Sequence, residues 1–187
     1  MSKAKKSEST MKEYTMPSLI LVIICFVVTF SLVITYQITE PIIKIAAEKQ
    51  AEEARKIVLP ESTGFELILS NDGPKKTLHE NVLEVYRSIN DAGYVIVSKD
   101  KGYGGEIKVI TGVAEDGLIK NILLLEQKET PGLGTKVGEK GFLEQFIGKD
   151  SVEGMQTISG ATISSNAMIR SVDSALQQME KIEEGGL

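Results

Sequence analysis

The stretch IKVITGVAEDGLIKNILLLE, residues 107–126, consists of two apolar segments separated by a short polar turn. Both segments are rich in Ile, Val and Leu, which favour strands, and Asp116-Gly117 between such segments is a strong hairpin signal. A third apolar segment, residues 93–98, precedes them. The strands predicted from these segments are 93–98, 107–113 and 118–126. Consecutive short strands joined by turns predict an antiparallel sheet.

Two helices are predicted after these strands. Residues 166–182 repeat apolar side chains at helical spacing, and residues 138–147 form a shorter candidate with an apolar face. Residues 61–92 have no clear pattern apart from a turn signal at 71–74 and a possible strand at 82–86. The predicted fold class is α+β, with helices packed on an antiparallel sheet and a transmembrane helix before it.

The amino-terminal part contains an uncharged apolar segment, residues 16–38, which is long enough to span a bilayer. No small-residue cleavage site follows it, so we expect an uncleaved anchor. Lys3, Lys5, Lys6 and Lys12 precede the segment and place the amino terminus in the cytoplasm. The expected organisation is a cytoplasmic tail (1–15), an anchor (16–38), a helical connector (39–60) after a turn at Glu40-Pro41, and an extracytoplasmic domain (61–187).

Composition excludes several classes of function. The net charge is −5, which argues against nucleic-acid binding. The single Cys25 lies in the apolar segment and the single His79 in a polar stretch, so a disulfide framework, a zinc site and a cysteine nucleophile are not expected. The segment GYGG, residues 102–105, does not open a helix and therefore does not indicate a dinucleotide-binding fold.

The segment SGATISSN, residues 159–166, places hydroxyl side chains at the start of the last predicted helix, near Thr162. Unpaired backbone N–H groups and the helix dipole favour an anion at this position, and Gly160 permits close approach of the backbone. The residues alone leave two interpretations open: a phosphate site, or simple capping of the helix by Thr162, Ser164 or Ser165.

Three segments in this order, GYGG (102–105), ETPGLG (129–134) and SGAT (159–162), resemble the motifs of the FMN-binding domain found in G subunits of Rnf-type and C subunits of Nqr-type redox complexes. The resemblance implies that Thr162 carries FMN covalently through a phosphoester. Three positions before Ser159, where the family often has an acidic residue, this chain has Gln156.

The resemblance also implies roles for the neighbouring residues. Ser164 and Ser165 would donate to the phosphate, Leu133 would lie against the flavin ring, and Thr130 would bond its polar edge. Taken singly, the loop at 129–134 could be an ordinary turn and Tyr103 a packing residue. The candidate cofactor-binding residues are Tyr103, Gly104, Thr130, Gly132, Leu133, Ser159, Gly160, Ala161, Thr162, Ser164 and Ser165.

No side chain with the pattern of a general acid, base or nucleophile is evident, which suits an electron carrier. By resemblance, the chain is a redox subunit of an ion-translocating ferredoxin:NAD oxidoreductase. Its partners would be the membrane and iron–sulfur subunits of that complex, with a flavin transferase acting during maturation. Three alternatives stay open: a membrane-anchored sensing module without covalent flavin, a subunit that only braces an assembly, and the Nqr C subunit.

Overall fold

The computed structural model describes residues 2–71 and 78–185, and side chains from residue 16 onwards except that of residue 44. It divides into two compact units, Met1–Lys49 and Gln50–Leu187, which are described separately. The turn expected at residues 71–74 lies mostly outside the described residues.

The first unit consists of most of helix α1, Ser2–Val58, which contains Pro17 and Pro41. The prediction of a turn at Glu40-Pro41 is wrong, because α1 continues through these two residues. An internal proline removes one backbone hydrogen bond, and the Ala, Glu, Lys and Ile residues on both sides favour helix strongly enough to continue it.

From Met16 onwards α1 is long and apolar enough, by length and composition, to cross a membrane. Its large apolar side chains between Met16 and Ile45 are exposed. The hydroxyls of Thr35 and Thr39 donate to the carbonyls of Ser31 and Thr35, at 2.9 and 2.7 Å. These internal bonds reduce the cost of placing hydroxyl groups in an apolar medium.

The second unit is built on one five-stranded antiparallel sheet with the strand order β1-β2-β3-β4-β5. The strands are β1 Phe65–Ser70, β2 Val82–Ser88, β3 Gly93–Lys101, β4 Glu106–Ala114 and β5 Ile119–Glu126. The predicted sheet and the α+β class are therefore confirmed. The predicted hairpin forms between β4 and β5, where Gly117 has a φ of +80° and its N–H bonds to the carbonyl of Ala114 at 3.0 Å. Strand β1 is the one that the sequence pattern did not reveal.

Each face of the sheet carries a helix. Helix α3, Thr162–Glu183, packs on one face through apolar residues that include Met168, Val172 and Met179. The carboxyl end of α1 packs on the other face, where Ala54, Val58 and Leu59 join Val95, Val97 and Ile110 in a second buried cluster. Helix α3 begins earlier than the predicted 166 because the turn before it leads straight into the first helical residue, Thr162.

Between β5 and α3 the chain forms short helical segments rather than the continuous helix predicted at 138–147. They are a 3₁₀ turn at Gly134–Gly138, α2 at Lys140–Leu143, and a second 3₁₀ turn at Glu144–Phe146. The predicted apolar face is present: Phe142, Leu143 and Phe146 are buried, and the two phenylalanine rings meet edge to face at 5.7 Å. This packing holds the segment that follows β5 close to α3.

Candidate functional site

The three motif segments meet around one cleft of about 580 Å³. The cleft is lined by Tyr103 from the turn between β3 and β4, by four residues of the loop after β5, and by residues at the start of α3. The residues of the loop after β5 are Glu129, Thr130, Leu133 and Gly134. The residues before and at the start of α3 are Gly160, Ala161, Thr162, Ile163 and Ser164. Segments that lie far apart in the sequence thus form a single site.

Thr162 is the first residue of α3, and its side chain is exposed at the cleft. Within the described residues its hydroxyl has no hydrogen-bond partner. The helix is preceded by Ala161, which makes no side-chain cap, and the first backbone bond of the helix runs from Ser165 N to Ala161 O at 2.9 Å. The N–H groups at the start of α3 are consequently available to a ligand on the cleft side, as expected for an anion site.

Ser164 and Ser165 are both buried and already hydrogen-bonded. The Ser164 hydroxyl donates to Glu129 Oε2 at 2.6 Å, and the Ser165 oxygen accepts from Ile158 N at 3.0 Å. Neither hydroxyl caps α3. Ser164 lines the cleft with its hydroxyl donating to Glu129, whereas Ser165 lies outside the lining and accepts a bond from Ile158. The phosphate-donor role expected for these two serines stays a prediction.

The loop after β5 forms the second wall of the cleft. Leu133 N bonds to Thr130 O at 3.2 Å, and Gly132 N bonds to the Thr135 hydroxyl at 3.0 Å. Gly132 has a φ of +75°, a backbone conformation that favours glycine. Leu133 and Thr130 line the cleft, whereas Gly132 shapes the loop without lining it.

The glycine-rich turn forms the third wall. It closes with a bond from Gly102 N to Gly105 O at 2.8 Å, and Gly104 N donates to Glu129 Oε1 at 3.1 Å. A β carbon on Gly104 would collide with the backbone carbonyl of Lys128, so this position requires glycine. Tyr103 is 73% exposed and borders the cleft, which places its ring where a ligand can reach it.

Of the remaining candidates, Gly160 and Ala161 line the cleft and Ser159 lies outside its lining. Glu129 is the important residue that sequence reasoning did not single out, although it opens the ETPGLG segment. It is 6% exposed, and its two carboxylate oxygens accept bonds from Gly104 in the glycine-rich turn and from Ser164 in the first turn of α3. An isolated acidic residue before a Thr-Pro-Gly turn was the only local signal.

The cleft fits a flavin mononucleotide in size and in chemistry. Cofactor sites are typically about 300–1,000 Å³ and mostly apolar with a few polar groups. Here Tyr103, Leu133 and Ile163 provide exposed apolar surface for a planar ring, and the start of α3 provides N–H groups for a phosphate. Thr162 is the first residue of α3 and is followed directly by Ile163, so its hydroxyl belongs to the same part of the cleft lining.

The fold and the cleft define a cofactor-binding domain, and comparison with known proteins identifies its family. The family model of the FMN-binding domain matches residues 102–177, which include all three walls of the cleft. The G subunit of the Na⁺-translocating ferredoxin:NAD⁺ oxidoreductase complex of Acetobacterium woodii is 30% identical, over 88% of this chain and 90% of the relative. The G subunit of the ion-translocating oxidoreductase complex of Methanosarcina acetivorans is also 30% identical, over 94% of this chain and 99% of the relative.

A third relative, from Clostridium ljungdahlii, is the G subunit of a proton-translocating ferredoxin:NAD⁺ oxidoreductase complex and is 28% identical, over 85% of this chain and 88% of the relative. The chain belongs to this family of G subunits of ion-translocating oxidoreductase complexes, and its residues 102–177 form an FMN-binding domain.

The crystal structure of NqrC from Shewanella oneidensis has the same fold, with a TM-score of 0.54. The alignment covers 73% of this chain and 99% of NqrC at 14% sequence identity. This likeness confirms the architecture of the second unit and, at that identity, carries no further statement about function.

Proposed function

We propose that Thr162 carries FMN through a phosphoester and that the domain transfers electrons within a membrane-bound, ion-translocating ferredoxin:NAD oxidoreductase complex. The observation that carries the proposal is the position of Thr162: an exposed hydroxyl at the first residue of α3, on the wall of a cleft of suitable size. The other hydroxyls of the helix start, Ser164 and Ser165, are 2% and 0% exposed and are therefore poor sites of attachment.

A phosphoester at Thr162 would leave the protein heavier by the mass of FMN less one water. The N–H groups at the start of α3 would hold the phosphate oxygens, whose negative charge the helix dipole favours. Tyr103, Leu133 and Ile163 would provide the apolar surface for the ring. When bound, the flavin supplies the redox chemistry, while the chain holds and orients it.

The partners follow from the names of the relatives, which are subunits of ferredoxin:NAD⁺ oxidoreductase complexes. We infer that this chain assembles with the membrane and iron–sulfur subunits of such a complex, after a flavin transferase has acted on it. Relatives of similar identity belong to Na⁺- and proton-translocating complexes, so resemblance does not select the ion. The 30% identity to two G subunits, against 14% to the NqrC chain, favours a G subunit over an Nqr C subunit.

The location of the domain is also part of the proposal. Residues 16–38 would form a single membrane anchor, with the tail 1–15 and its lysines in the cytoplasm. The domain 61–187, joined to the anchor by residues 39–60, would lie on the periplasmic or extracellular side. Covalent attachment suits that side, because a cofactor lost there is not readily replaced.

The proposal is tested by the intact mass of the full-length protein produced together with a flavin transferase. The wild-type protein should gain the mass of FMN less one water and show flavin fluorescence on a denaturing gel. Thr162→Val should lose both signals. Thr157→Val is the control, because it removes another exposed hydroxyl before α3 that lies outside the cleft lining, and it should keep the added mass.

An unmodified wild-type mass under these conditions would refute covalent attachment. Flavin that is released by denaturation would instead support the sensing module with non-covalent FMN. Unchanged electron transfer and ion transport in the assembled complex with Thr162→Val would support a subunit that only braces the assembly.

A further inference from the structure

We propose that Glu129 is the positioning residue of the flavin site, and that its carboxylate holds the three walls of the cleft together while lowering the midpoint potential of the flavin bound there. The second part of this inference rests on the proposed function. The first part concerns the protein without cofactor and can be tested independently.

The positioning role follows from the two hydrogen bonds of the carboxylate. Oε1 accepts from the backbone N–H of Gly104 in the glycine-rich turn, at 3.1 Å. Oε2 accepts from the hydroxyl of Ser164 in the first turn of α3, at 2.6 Å. Glu129 itself begins the loop that forms the remaining wall. The Glu129 side chain therefore bonds to both of the segments that face its own loop. Its partner Ser164 lies two residues after Thr162, the proposed attachment site.

The surrounding glycines show that this arrangement is built closely around the carboxylate. A β carbon on Gly102 would collide with Oε1, and one on Gly134 would stand 2.6 Å from Oε2 and 3.0 Å from the Ser164 hydroxyl. Larger residues at 102 or 134 would displace the carboxylate from its partners. The space for Glu129 is thus made by glycines in two of the motif segments.

The electrostatic role follows from the burial of the group and the nature of its partners. Glu129 is 6% exposed and lines the cleft, and both of its hydrogen-bond donors are uncharged groups. Among the described ion pairs, none involves Glu129. A carboxylate that is neither exposed to solvent nor paired with a cation repels electrons added to a nearby cofactor, which lowers the midpoint potential of that cofactor.

Two substitutions separate the positioning role of Glu129 from the effect of its negative charge. Glu129→Gln keeps the size of the side chain and an acceptor for Gly104 N, and its amide can donate to the Ser164 oxygen, so the walls stay linked while the charge is lost. Glu129→Ala removes both bonds and the charge. Glu115→Gln is the matched control, because Glu115 is an exposed acid at the opposite end of β4 from the glycine-rich turn.

The positioning role is measured in the cofactor-free protein by amide hydrogen exchange. In Glu129→Ala the Gly104 amide should exchange at least about tenfold faster, because it loses its acceptor on a charged group. In Glu129→Gln and Glu115→Gln the exchange rate should stay close to that of the wild type. Because Glu129→Ala could fail to fold, Ser164→Ala provides a second test, in which the Ser165 amide, bonded to Ala161 O, should exchange faster while the Gly104 amide keeps its rate. Unaltered exchange of the Ser165 amide would overturn the positioning role.

The electrostatic role is measured by redox titration of the flavin-loaded protein. Glu129→Gln should raise the midpoint potential above that of the wild type and of Glu115→Gln, while the yield of bound flavin is retained. A purely structural role would leave the potential of Glu129→Gln unchanged, and that result overturns the electrostatic part. Unaltered Gly104 exchange in folded Glu129→Ala overturns the positioning part. A wild-type protein that takes up no flavin refutes the proposed function, and the exchange result still decides the positioning role.

Discussion

The side chain of Leu133 lies against Gly160, with Cδ1 3.3 Å from the point where a β carbon on Gly160 would stand. The ETPGLG loop and the SGAT turn therefore approach each other without a second side chain between them. Gly160 also has a φ of +81°, which favours glycine. Two separate physical requirements thus act on a residue that lies just before the start of α3.

These requirements predict that Gly160→Ala lowers both stability and flavin uptake. The positive φ alone costs an alanine about 1–2 kcal/mol in the free energy of unfolding. Gly154→Ala is the control, since Gly154 has a similar φ of +76° and open space around its β carbon. Thermal unfolding should show a comparable loss for both variants, whereas flavin yield should fall only for Gly160→Ala. Equal flavin yields would show that contact with Leu133 is unimportant.

A second close approach lies on the face of the sheet that packs against the end of α1. A β carbon on Gly112 of β4 would collide there with the carbonyl of Val58. Gly112→Ala should push the end of α1 off the sheet and destabilise the domain by about 1–3 kcal/mol. Gly141→Ala has open space in α2 and should be neutral or slightly stabilising. Denaturant unfolding of both variants measures the difference, and equal midpoints would contradict the close approach.

The sheet was predictable from the sequence because β3 and β4 contain several β-branched residues, β5 is a run of Ile and Leu, and a clear turn joins β4 to β5. Strand β1 was not, since its burial is mixed along its length, as expected for an edge strand without a regular alternation. The helix through Pro41 was missed because a proline is a local stop signal, and the helix-forming residues on both sides of it outweigh that signal.

The site was predictable only as separate motifs. Thr162, Leu133 and Tyr103 were identified by resemblance, and the structure brings them to one cleft. The bonds of Glu129 join residues 25 and 35 positions apart, and no local pattern encodes such contacts. The burial of Ser164 and Ser165 was equally unpredictable from the sequence, because a hydroxyl at a helix start can face either the solvent or the core.

The pair Lys99 and Glu106 provides a prediction about pH. The Lys99 ammonium donates to the Glu106 carboxylate at 2.8 Å, and this bond holds the pKa of Glu106 below its ordinary value. Lys99→Met should raise that pKa towards the ordinary value, as followed by NMR titration of the side-chain carboxyl. Lys101→Met should shift it less, because Lys101 lies opposite Glu106 in the strand register without bonding to it among the described ion pairs.

The sign of the effect on stability follows from the lowered pKa. The bond stabilises the folded state above the pKa of Glu106 in the unfolded chain, and the contribution is lost as pH falls through the folded-state pKa. Both side chains are well exposed, at 38% and 66%, so the change in unfolding should be small. A large acid destabilisation caused by Lys99→Met would contradict this interpretation.

Substitutions at Phe146 and Ile163 should separate an effect on the free energy of unfolding from an effect on flavin binding. Phe146 is fully buried, and Phe146→Ala should cost about 3–5 kcal/mol of unfolding free energy. Ile163 is 53% exposed at the cleft, so Ile163→Ala should change stability by no more than about 0.5 kcal/mol. Flavin absorbance should nevertheless change in Ile163→Ala if its side chain lies against the ring. An unchanged spectrum would remove Ile163 from the proposed ring surface.

The most direct test of the central claim is the location of the flavin on the chain. Trypsin cleavage after Lys149 and Arg170 releases one peptide that contains Thr162 together with Ser151, Thr157, Ser159, Ser164 and Ser165. Fragment masses of this peptide, from protein matured with a flavin transferase, should place the added FMN on Thr162 alone. Attachment to any of the other five hydroxyls, or a peptide without added mass, would contradict the account.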